Sequence, residues 1–331
     1  MIQSFKKKFR IDFNKNTKLT YYISSIFKLF VPDFIYKSKL QKMFEDATID
    51  ADILQRVNYY NKITDDFQLS EDAISIQEFI KKEKKKTYYF DLLEYLRYFD
   101  KNLKISYLFG DVTTVPDTPS FVKSRPINDN NQNSIVMKLN KIRHFIFVDD
   151  KIKFEDKKNM LVWRGKCYTK PRKKFIEEFY NKDFCDVGQT NTKHDINVPW
   201  QKEKMQLHQQ LMYKFILTIE GNDVASNLKW VMSSNSLAFM PKPKYETWFM
   251  EGTLIPNYHY VLLKDDLSNI EEKVHYYSTH TEEALEIIAN AHEHVKQFKN
   301  KKKEDLVSLL VLQKYFENSS QLATLIKRQF I

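Results

Sequence analysis

Apolar runs and amphipathic segments alternate along the second half of this chain. Four runs there have the length and the β-branched and aromatic content of buried strands: NMLVWRG, YKFILTIEG, SLAFMPKP and YHYVLLKDD. Three segments have the apolar spacing of helices: PRKKFIEEFY, NDVASNLKWVMSS and STHTEEALEIIANAHEHVKQF. Strands that alternate with helices predict an α/β fold with parallel sheets and crossover helices.

The pattern of the first half is less regular. Residues 1–85 are predicted to be mainly helical, up to the charge run KKEKKK. Then follow a helix (YYFDLLEYLRYF), a strand (LKISYLFG), a turn-rich loop over residues 111–133, a helix (SIVMKLNKI) and a strand (HFIFVDD). The whole pattern predicts four units: a helical basic N-terminal segment over 1–85, an α/β lobe over 86–155, a second α/β lobe over 156–300, and a C-terminal helix over 301–331 that packs back on the first lobe.

Positive charge is concentrated near the N-terminus. The formal net charge is +10, and residues 1–44 hold ten Lys or Arg residues against two Asp residues. Tyr, Phe, Ile and Leu are interleaved with these charges in LTYYISSIFKLFVPDFIY, which is typical of segments that lie on an anionic membrane surface. A nucleic-acid-binding arm and a solvated helix packed on the core are the alternatives. Since no basic stripe continues beyond the segment, no nucleic acid is expected as a partner.

Several classes of protein are disfavoured by what the chain lacks. The two cysteines, Cys167 and Cys185, argue against a disulfide scaffold and fit a reducing cytosol. No uncharged apolar run reaches the roughly 18 residues of a spanning helix, and no secretory signal pattern is present. No metal site is predicted, because the histidines of AHEH lie on different faces of a helix and the Asp50–Asp52 pair follows no clear strand.

Two of the five glycines stand where α/β sheets bind ligands. Gly165 and Gly221 each end a predicted strand and precede a predicted helix, and both the strand ends and the helix N-termini favour anionic ligands. Basic residues surround the first turn: Arg164, Lys166, Lys170, Arg172, Lys173 and Lys174. Neither turn has the GxGxxG or the P-loop pattern, so a dinucleotide fold or an NTPase is not supported.

One carboxylate is a candidate general base. Asp111 follows a predicted strand and Gly110, in a loop that also holds Lys123, Ser124 and Arg125. A carboxylate at a strand end that faces a cleft can remove a proton from a substrate. Capping of the loop is the alternative role of Asp111.

Four sequence blocks occur in a specific order: WRG, then PR six and seven residues beyond its glycine, then EGNDVAS, then LIPNYHYVLLKDDLSNIEEKV. Together they resemble the CAP10-like glycosyltransferases, family 90. Three further segments look most like the bacterial branch of that family, the LpsA-type lipooligosaccharide and lipopolysaccharide core transferases: SFVKSRPI, KLNKIRHFIFVDD and PKPKYETWFMEGTLIPNYHYV. The resemblance runs from about Tyr107 to Phe298 and leaves residues 1–85 outside.

The resemblance implies a GT-B-type fold of two Rossmann-like lobes, with the UDP-sugar donor on the C-terminal lobe and the acceptor on the N-terminal lobe. It implies inverting transfer without a metal or other cofactor, with Asp111 as the catalytic base. The implied donor-binding residues are Arg164, Gly165, Lys166, Arg172, Gly221, Asn222, Ser226, Lys229 and His259. The implied acceptor-side residues are Lys123, Ser124 and Arg125.

The chain departs from the family pattern at two positions. The serine that usually follows the first glycine is Lys166 here. The arginine expected two residues beyond Ser226 is Leu228, so Lys229 is the candidate for that positive charge.

The expected function is transfer of a hexose, from UDP-glucose or UDP-galactose, to a heptose of the lipooligosaccharide inner core. The expected partners are the UDP-sugar, a lipid-linked oligosaccharide acceptor and an anionic membrane bound through residues 1–44. The expected location is cytoplasmic, on the inner face of a bacterial inner membrane. The alternatives are transfer to capsule or to a protein serine, and a non-enzymatic polyanion-binding protein that uses the basic arm.

Overall fold

A computed structural model describes residues 18–323 of the chain. Residues 1–17 of the predicted basic segment, and residues 324–331 at the end of the predicted C-terminal helix, lie outside the described residues. Helices and parallel sheets make up most of the described structure, which confirms the predicted α/β class. Within residues 18–323, no helix has both the length and the apolar character needed to cross a bilayer.

The N-terminal region is mainly helical from residue 18 onward, as predicted. Its elements are α1 (Lys18–Leu29), α2 (Asp33–Asp46), α3 (Ala51–Tyr60), β1 (Ile74–Ser75), α4 (Ile76–Lys82) and α5 (Thr87–Leu96). The Asp50 side chain accepts a hydrogen bond from the backbone N–H of Ile53 at 2.8 Å, and Ser75 and Glu78 form a reciprocal capping box at the start of α4. Asp50 is therefore a helix cap.

A small parallel sheet follows these helices. The elements of this region are β2 (Lys104–Ile105), β3 (Tyr107–Leu108), β4 (Ser120–Val122), β5 (Ser124–Pro126), β6 (Ser134–Val136) and α6 (Lys141–His144). β4 lies between β3 and β6 and is parallel to both, whereas β1 and β2 form an antiparallel pair.

Three predictions for this region were wrong. The turn-rich loop over residues 111–133 contains β4 and β5, the helix predicted for SIVMKLNKI begins as strand β6, and residues 145–150 form no strand. β4 and β6 have three residues each, all buried. Periodicity cannot distinguish such short apolar runs from pieces of buried helix, because pairing with distant segments decides their conformation.

The second half contains a larger parallel sheet. Its elements are β7 (Lys158–Gly165), α7 (Lys170–Phe179), β8 (Cys185–Gln189), α8 (Leu207–Gln210), β9 (Tyr213–Leu217), α9 (Leu228–Met232), β10 (Leu237–Pro241), β11 (Tyr245–Thr247), β12 (Val261–Leu263), α10 (Ile270–Thr279), α11 (Thr281–Lys296) and α12 (Lys301–Asn318). Five strands pair in the order β12-β10-β9-β7-β8, all parallel. The four predicted strands are confirmed as β7, β9, β10 and β12, while β8 and β11 were not predicted.

The helix predicted directly after Gly221 is shorter and begins later than expected. α9 starts at Leu228 and has five residues, so residues 222–227 form a loop. Asn222 and Asp223, which the sequence offers as helix caps, therefore belong to a loop at the carboxyl end of β9.

The five-stranded sheet is apolar on both faces, as parallel sheets generally are. Val162 and Ile216 belong to one hydrophobic cluster and their neighbours Leu161, Trp163 and Phe215 to another, because side chains alternate across a strand. The first cluster continues into the helices and strands of the first half of the chain. β11 also pairs with β5, and α12 packs against α3 and α5, so the two halves are joined at several places.

Candidate active site

Polar contacts join the carboxyl ends of the two parallel sheets. Asp111 follows β3, Lys123 follows β4, and Asn222 follows β9. Nδ2 of Asn222 donates to Oδ2 of Asp111 at 3.2 Å. Because ligands of open parallel sheets bind beyond the carboxyl ends of strands, the residues around this bond form the candidate site.

Asp111 presents a partly exposed carboxylate that is held by a buried ammonium group. Gly110 turns the chain after β3 with a φ of 122°, a conformation that favours glycine. Nζ of Lys123 donates to Oδ1 of Asp111 at 2.6 Å, and the exposed fraction of the side chain is 1% for Lys123 and 27% for Asp111. Burial by itself raises the pKa of Asp111, but Lys123, Asn222 and Arg143 together hold that pKa below its ordinary value. The carboxylate is therefore charged at neutral pH.

Lys123 positions carboxylates and has no surface left for an acceptor. Its Nζ also lies 2.5 Å from Oδ2 of Asp223, whose side chain is 5% exposed. Burial lowers the pKa of Lys123, but Asp223 and then Asp111 more than offset this and raise it, so the ammonium stays charged. The expected acceptor-side role of Lys123 is corrected on this ground. Asp223 was missed as a site residue because the sequence suggested a helix cap.

Arg172 is fixed at the Gly221 turn by backbone carbonyl groups. Its Nε donates to the carbonyl of Glu220 at 3.0 Å, its Nη2 to Ile219 at 2.7 Å and its Nη1 to Lys166 at 3.1 Å. A Cβ atom on Gly221 would lie 3.2 Å from Nη2 of Arg172, so glycine leaves room for close approach of the guanidinium. No carboxylate in the described structure pairs with Arg172, which leaves a fixed positive charge at the site.

Arg143 adds a second uncompensated charge that the sequence analysis missed. It lies in α6, beyond the carboxyl end of β6, and is exposed. Its guanidinium makes no ion pair or hydrogen bond with any residue between positions 18 and 323. Burial, and after it the positive charge of Arg143, lower the pKa of Arg172, and the same charge lowers the pKa of Asp111. Two guanidinium groups that no carboxylate of the described structure neutralises form a field that attracts an anion.

Two other predicted donor contacts are neutralised by carboxylates. Lys229 is fully buried and its ammonium bonds to Glu251, whose side chain is 1% exposed. Nη2 of Arg164 bonds to Oδ1 of Asp186 at 2.7 Å, and the Arg164 side chain is 8% exposed. The expectation that Lys229 or Arg164 faces the donor is therefore corrected, because a carboxylate already neutralises each of the two groups.

Ser124 and Arg125, expected on the acceptor side, are buried structural residues. Oγ of Ser124 donates to the carbonyl of Val112 at 3.0 Å. Arg125 is fully buried: its Nε donates to Oε1 of Glu246 at 2.6 Å and its Nη2 to the carbonyl of Tyr59 at 2.7 Å. Arg125 thus joins β5 to β11 and to α3, and the acceptor-side expectation for both residues is corrected.

The remaining predicted donor residues fall into two groups. His259 is apart from the site: its Nδ1 accepts the backbone N–H of Ile255 at 2.9 Å and its ring lies 5.4 Å from that of His294. Ser226 lies in the loop before α9, and Gly165 ends β7 next to the exposed Lys166. The site that the structure assembles therefore contains Asp111, Arg172, Gly221 and Asn222 from the prediction, with Lys166 at its edge.

A cavity of about 220 Å³ adjoins the Gly221 turn. Glu220, Gly221 and Asn222 line it, together with the loop after β10. One oxygen of Glu220 accepts the backbone N–H groups of Lys244 at 3.0 Å and Tyr245 at 3.3 Å. Burial raises the pKa of Glu220 to about 7, and these two N–H groups act in the opposite direction. Glu220 is a third site residue that sequence analysis missed, after Asp223 and Arg143.

The described part of the chain contains no group of three or more His, Cys, Asp or Glu side chains arranged to hold a metal ion. Two carboxylates of the site, Asp111 and Asp223, are bridged by the ammonium of Lys123. Both cysteines are buried and neither forms a disulfide bond.

Comparison with known proteins gives an independent result. The model of the family described as Glycosyl transferase family 90 matches residues 133–320. The chain is 43% identical over 292 residues to the O-glucosyltransferase LpsA of Dichelobacter nodosus, which covers 87% of this chain and 91% of that protein. It is 29% identical over 140 residues to Protein O-glucosyltransferase 2 of Danio rerio, which covers 40% of this chain and 28% of that protein.

Proposed function

Because this chain belongs to glycosyltransferase family 90 and is an LpsA-type member of it, we propose that it moves glucose from UDP-glucose to a heptose hydroxyl of the lipooligosaccharide inner core. Glucose is preferred to galactose because both relatives are named as O-glucosyltransferases. The observation that carries the proposal is the hydrogen bond between Asp111 and Asn222, beside the guanidinium groups of Arg172 and Arg143, neither of which pairs with a carboxylate in the described structure. A base and an anion site that lie beside each other at the carboxyl ends of two parallel sheets would suit the two-lobed GT-B arrangement that we propose.

Asp111 acts as the general base in this proposal. Lys123 holds Oδ1 at 2.6 Å, while Oδ2 receives only the longer bond from Asn222 at 3.2 Å. Oδ2 is therefore the oxygen that takes the proton from the acceptor hydroxyl. The acceptor oxygen then forms its bond to the anomeric carbon from the face opposite the diphosphate, the carbon–diphosphate bond breaks, and the configuration is inverted. UDP leaves, and Asp111 returns its proton to solvent.

Arg172 and Arg143 stabilise the charge that develops on the departing diphosphate. Arg172 is held by three carbonyl oxygens before any ligand binds, so its orientation costs nothing when the reaction occurs. Arg143 is exposed and unpaired within the described range, and we assign to it the role that Lys229 was expected to fill. These two guanidinium groups supply the positive charge for a reaction without a metal ion.

The glucosyl group of the donor occupies the cavity of about 220 Å³ next to Gly221. Glu220 lines this cavity, and backbone N–H groups fix one oxygen of its carboxyl group. The second oxygen is then available to accept hydrogen bonds from sugar hydroxyl groups. We propose this contact as the basis of sugar selection, because a hydroxyl-binding site discriminates strongly against sugars that lack or invert that hydroxyl.

The acceptor is lipid-linked, and we place the protein at the inner face of a bacterial inner membrane. The ten basic residues within positions 1–44 would be attracted to the anionic lipids of that surface, at about 1 kcal/mol for each charge near it.

The proposal is tested with purified protein, UDP-glucose and deacylated lipooligosaccharide from a strain that lacks this gene. We expect one added hexose by mass spectrometry, unchanged turnover in EDTA, and no transfer by Asp111→Asn. This variant should still bind UDP in calorimetry, because Asp111 is on the acceptor side of the hydrogen bond to Asn222. Undiminished turnover by Asp111→Asn would remove the base assignment, and transfer from UDP-galactose alone would overturn the choice of sugar.

A further inference from the structure

Helix α1 has two apolar faces, and one of them packs on the protein. The hydroxyl group of Tyr21 donates to Oδ1 of Asp91 at 2.6 Å, and the ring of Tyr22 lies edge-on to that of Phe90 at 5.9 Å. Leu29 packs against the same hydrophobic core. This face accounts for the attachment of α1 to the fold.

The second apolar face of α1 has no partner in residues 18–323. Its side chains recur at a helical spacing along α1 and the following turn: Leu19, Ile23, Ile26, Phe27 and Phe30, which are 69%, 45%, 46%, 69% and 79% exposed. The start of α2, three residues beyond Phe30, adds two more exposed apolar side chains, Phe34 and Ile35, which are 70% and 43% exposed. These seven residues are named here the α1–α2 apolar face.

The concentration of apolar surface here is unusual for the described chain. Seven of its fifteen exposed large hydrophobic side chains belong to the α1–α2 apolar face. All three phenylalanines among those fifteen lie there. Single exposed apolar residues are ordinary on a soluble surface, but a contiguous set indicates a binding surface.

The charges around the face indicate what covers it. Lys18, Lys39 and Lys42 are exposed and form no ion pair with other residues of the described chain. The adjoining residues 1–17 hold five Lys or Arg residues and one Asp residue. An apolar strip bordered by positive charge complements the headgroup and acyl boundary of an anionic bilayer, whereas a second copy of the same basic region would be repelled.

We propose that the α1–α2 apolar face inserts into an anionic lipid bilayer, with Phe27, Phe30 and Phe34 as its deepest side chains. The identification of the bilayer as the site of the acceptor rests on the proposed function, but the insertion itself does not. Attraction of lysines to headgroups is screened by salt, whereas burial of phenylalanine in the acyl boundary is not. Membrane binding should therefore have one salt-sensitive part and one salt-resistant part.

The experiment measures flotation of the full-length protein with vesicles of phosphatidylglycerol and phosphatidylethanolamine at ionic strengths of about 0.05 M and about 0.5 M. A triple variant, Phe27→Gln, Phe30→Gln and Phe34→Gln, should bind more weakly at both ionic strengths, by about tenfold for each phenylalanine that inserts. A triple Lys→Gln variant at positions 18, 39 and 42 should lose binding only at the lower ionic strength. The matched control is a variant at Ile196 and Ile255, which lie outside the α1–α2 apolar face and are 45% and 54% exposed. It should bind the vesicles as the wild type does.

Three results would overturn the proposal. The first is wild-type flotation by the phenylalanine variant at the higher ionic strength. The second is that deletion of residues 2–17 abolishes the salt-resistant binding while the three phenylalanines are intact, which would assign the insertion to that segment. The third is a wild-type dimer in sedimentation that the phenylalanine variant dissolves, which would assign the face to a second copy. Flotation needs no turnover, so a failure of the proposed sugar transfer would leave the flotation results interpretable. Unchanged UDP binding and an unchanged melting temperature verify that each variant is folded.

Discussion

Replacing Lys229 with methionine should reduce stability without affecting nucleotide binding. The ammonium group is fully buried and bonds to the carboxylate of Glu251, and it lies 5.3 Å from the centre of the Phe249 ring. Methionine preserves most of the volume but leaves Glu251 without its positive partner. Removing one member of a buried ion pair costs about 3–5 kcal/mol, because the remaining charge stays desolvated.

The hydrogen bonds that remain set the expected value at the lower end of that range. Oε2 of Glu251 still accepts the backbone N–H of Thr247 at 2.6 Å, and both of its oxygens accept the Thr247 hydroxyl group. We therefore expect Lys229→Met to lower the free energy of unfolding by about 3 kcal/mol. The double variant Lys229→Met with Glu251→Gln should recover part of this loss, since no buried charge is left unpaired.

Urea unfolding followed by tryptophan fluorescence gives the free energies, and calorimetric titration with UDP gives the affinity of the folded protein. If Lys229 instead contacted the diphosphate, Lys229→Met would weaken UDP binding by tenfold or more and change stability little. That result would refute the reasoning from burial. Recovery of stability in the double variant, combined with an unchanged UDP affinity of Lys229→Met, would support it.

Three further changes probe the site. Gly221→Ala places a Cβ atom 3.2 Å from Nη2 of Arg172. Calorimetry should then show that the affinity for UDP is weakened by about tenfold. An unchanged affinity would mean that Arg172 does not hold the nucleotide. Arg143→Ala should lower kcat by about tenfold or more. The melting temperature should not change, because the exposed guanidinium is unpaired in the described structure. A loss of stability would instead indicate a structural role for Arg143. Glu220 has a pKa raised from 4.5 to about 7, so its protonated form stabilises the fold below pH 4.5 and this contribution is lost as pH rises to about 7. Between pH 5 and 8, the free energy of unfolding of the wild type in urea should fall by about 1–3 kcal/mol relative to that of Glu220→Gln. If the two proteins show parallel pH profiles of stability, the raised pKa of Glu220 is contradicted.

Much of the second half could be predicted from the sequence. Its strands are apolar on both faces and are separated by helices, so each is visible as a separate run. Gly221 and Arg172 could be predicted for the same reason. Gly221 follows strand β9, and Arg172 lies in the first turn of helix α7. The first half was harder to predict because β4 and β6 have three residues each, and only pairing with distant segments makes them strands.

The sequence by itself determined the family, the α/β class and the position of the candidate base at Asp111. Only the tertiary structure decided which positive charges are free to meet a ligand. Lys229, Arg164 and Arg125 each have a carboxylate partner more than a helical turn away in sequence, so local spacing could not reveal that they are neutralised. Arg143 has no such partner within residues 18–323, and its free charge became apparent only once the fold had paired the others. The availability of a charged group depends on burial and pairing, and both are properties of the assembled fold.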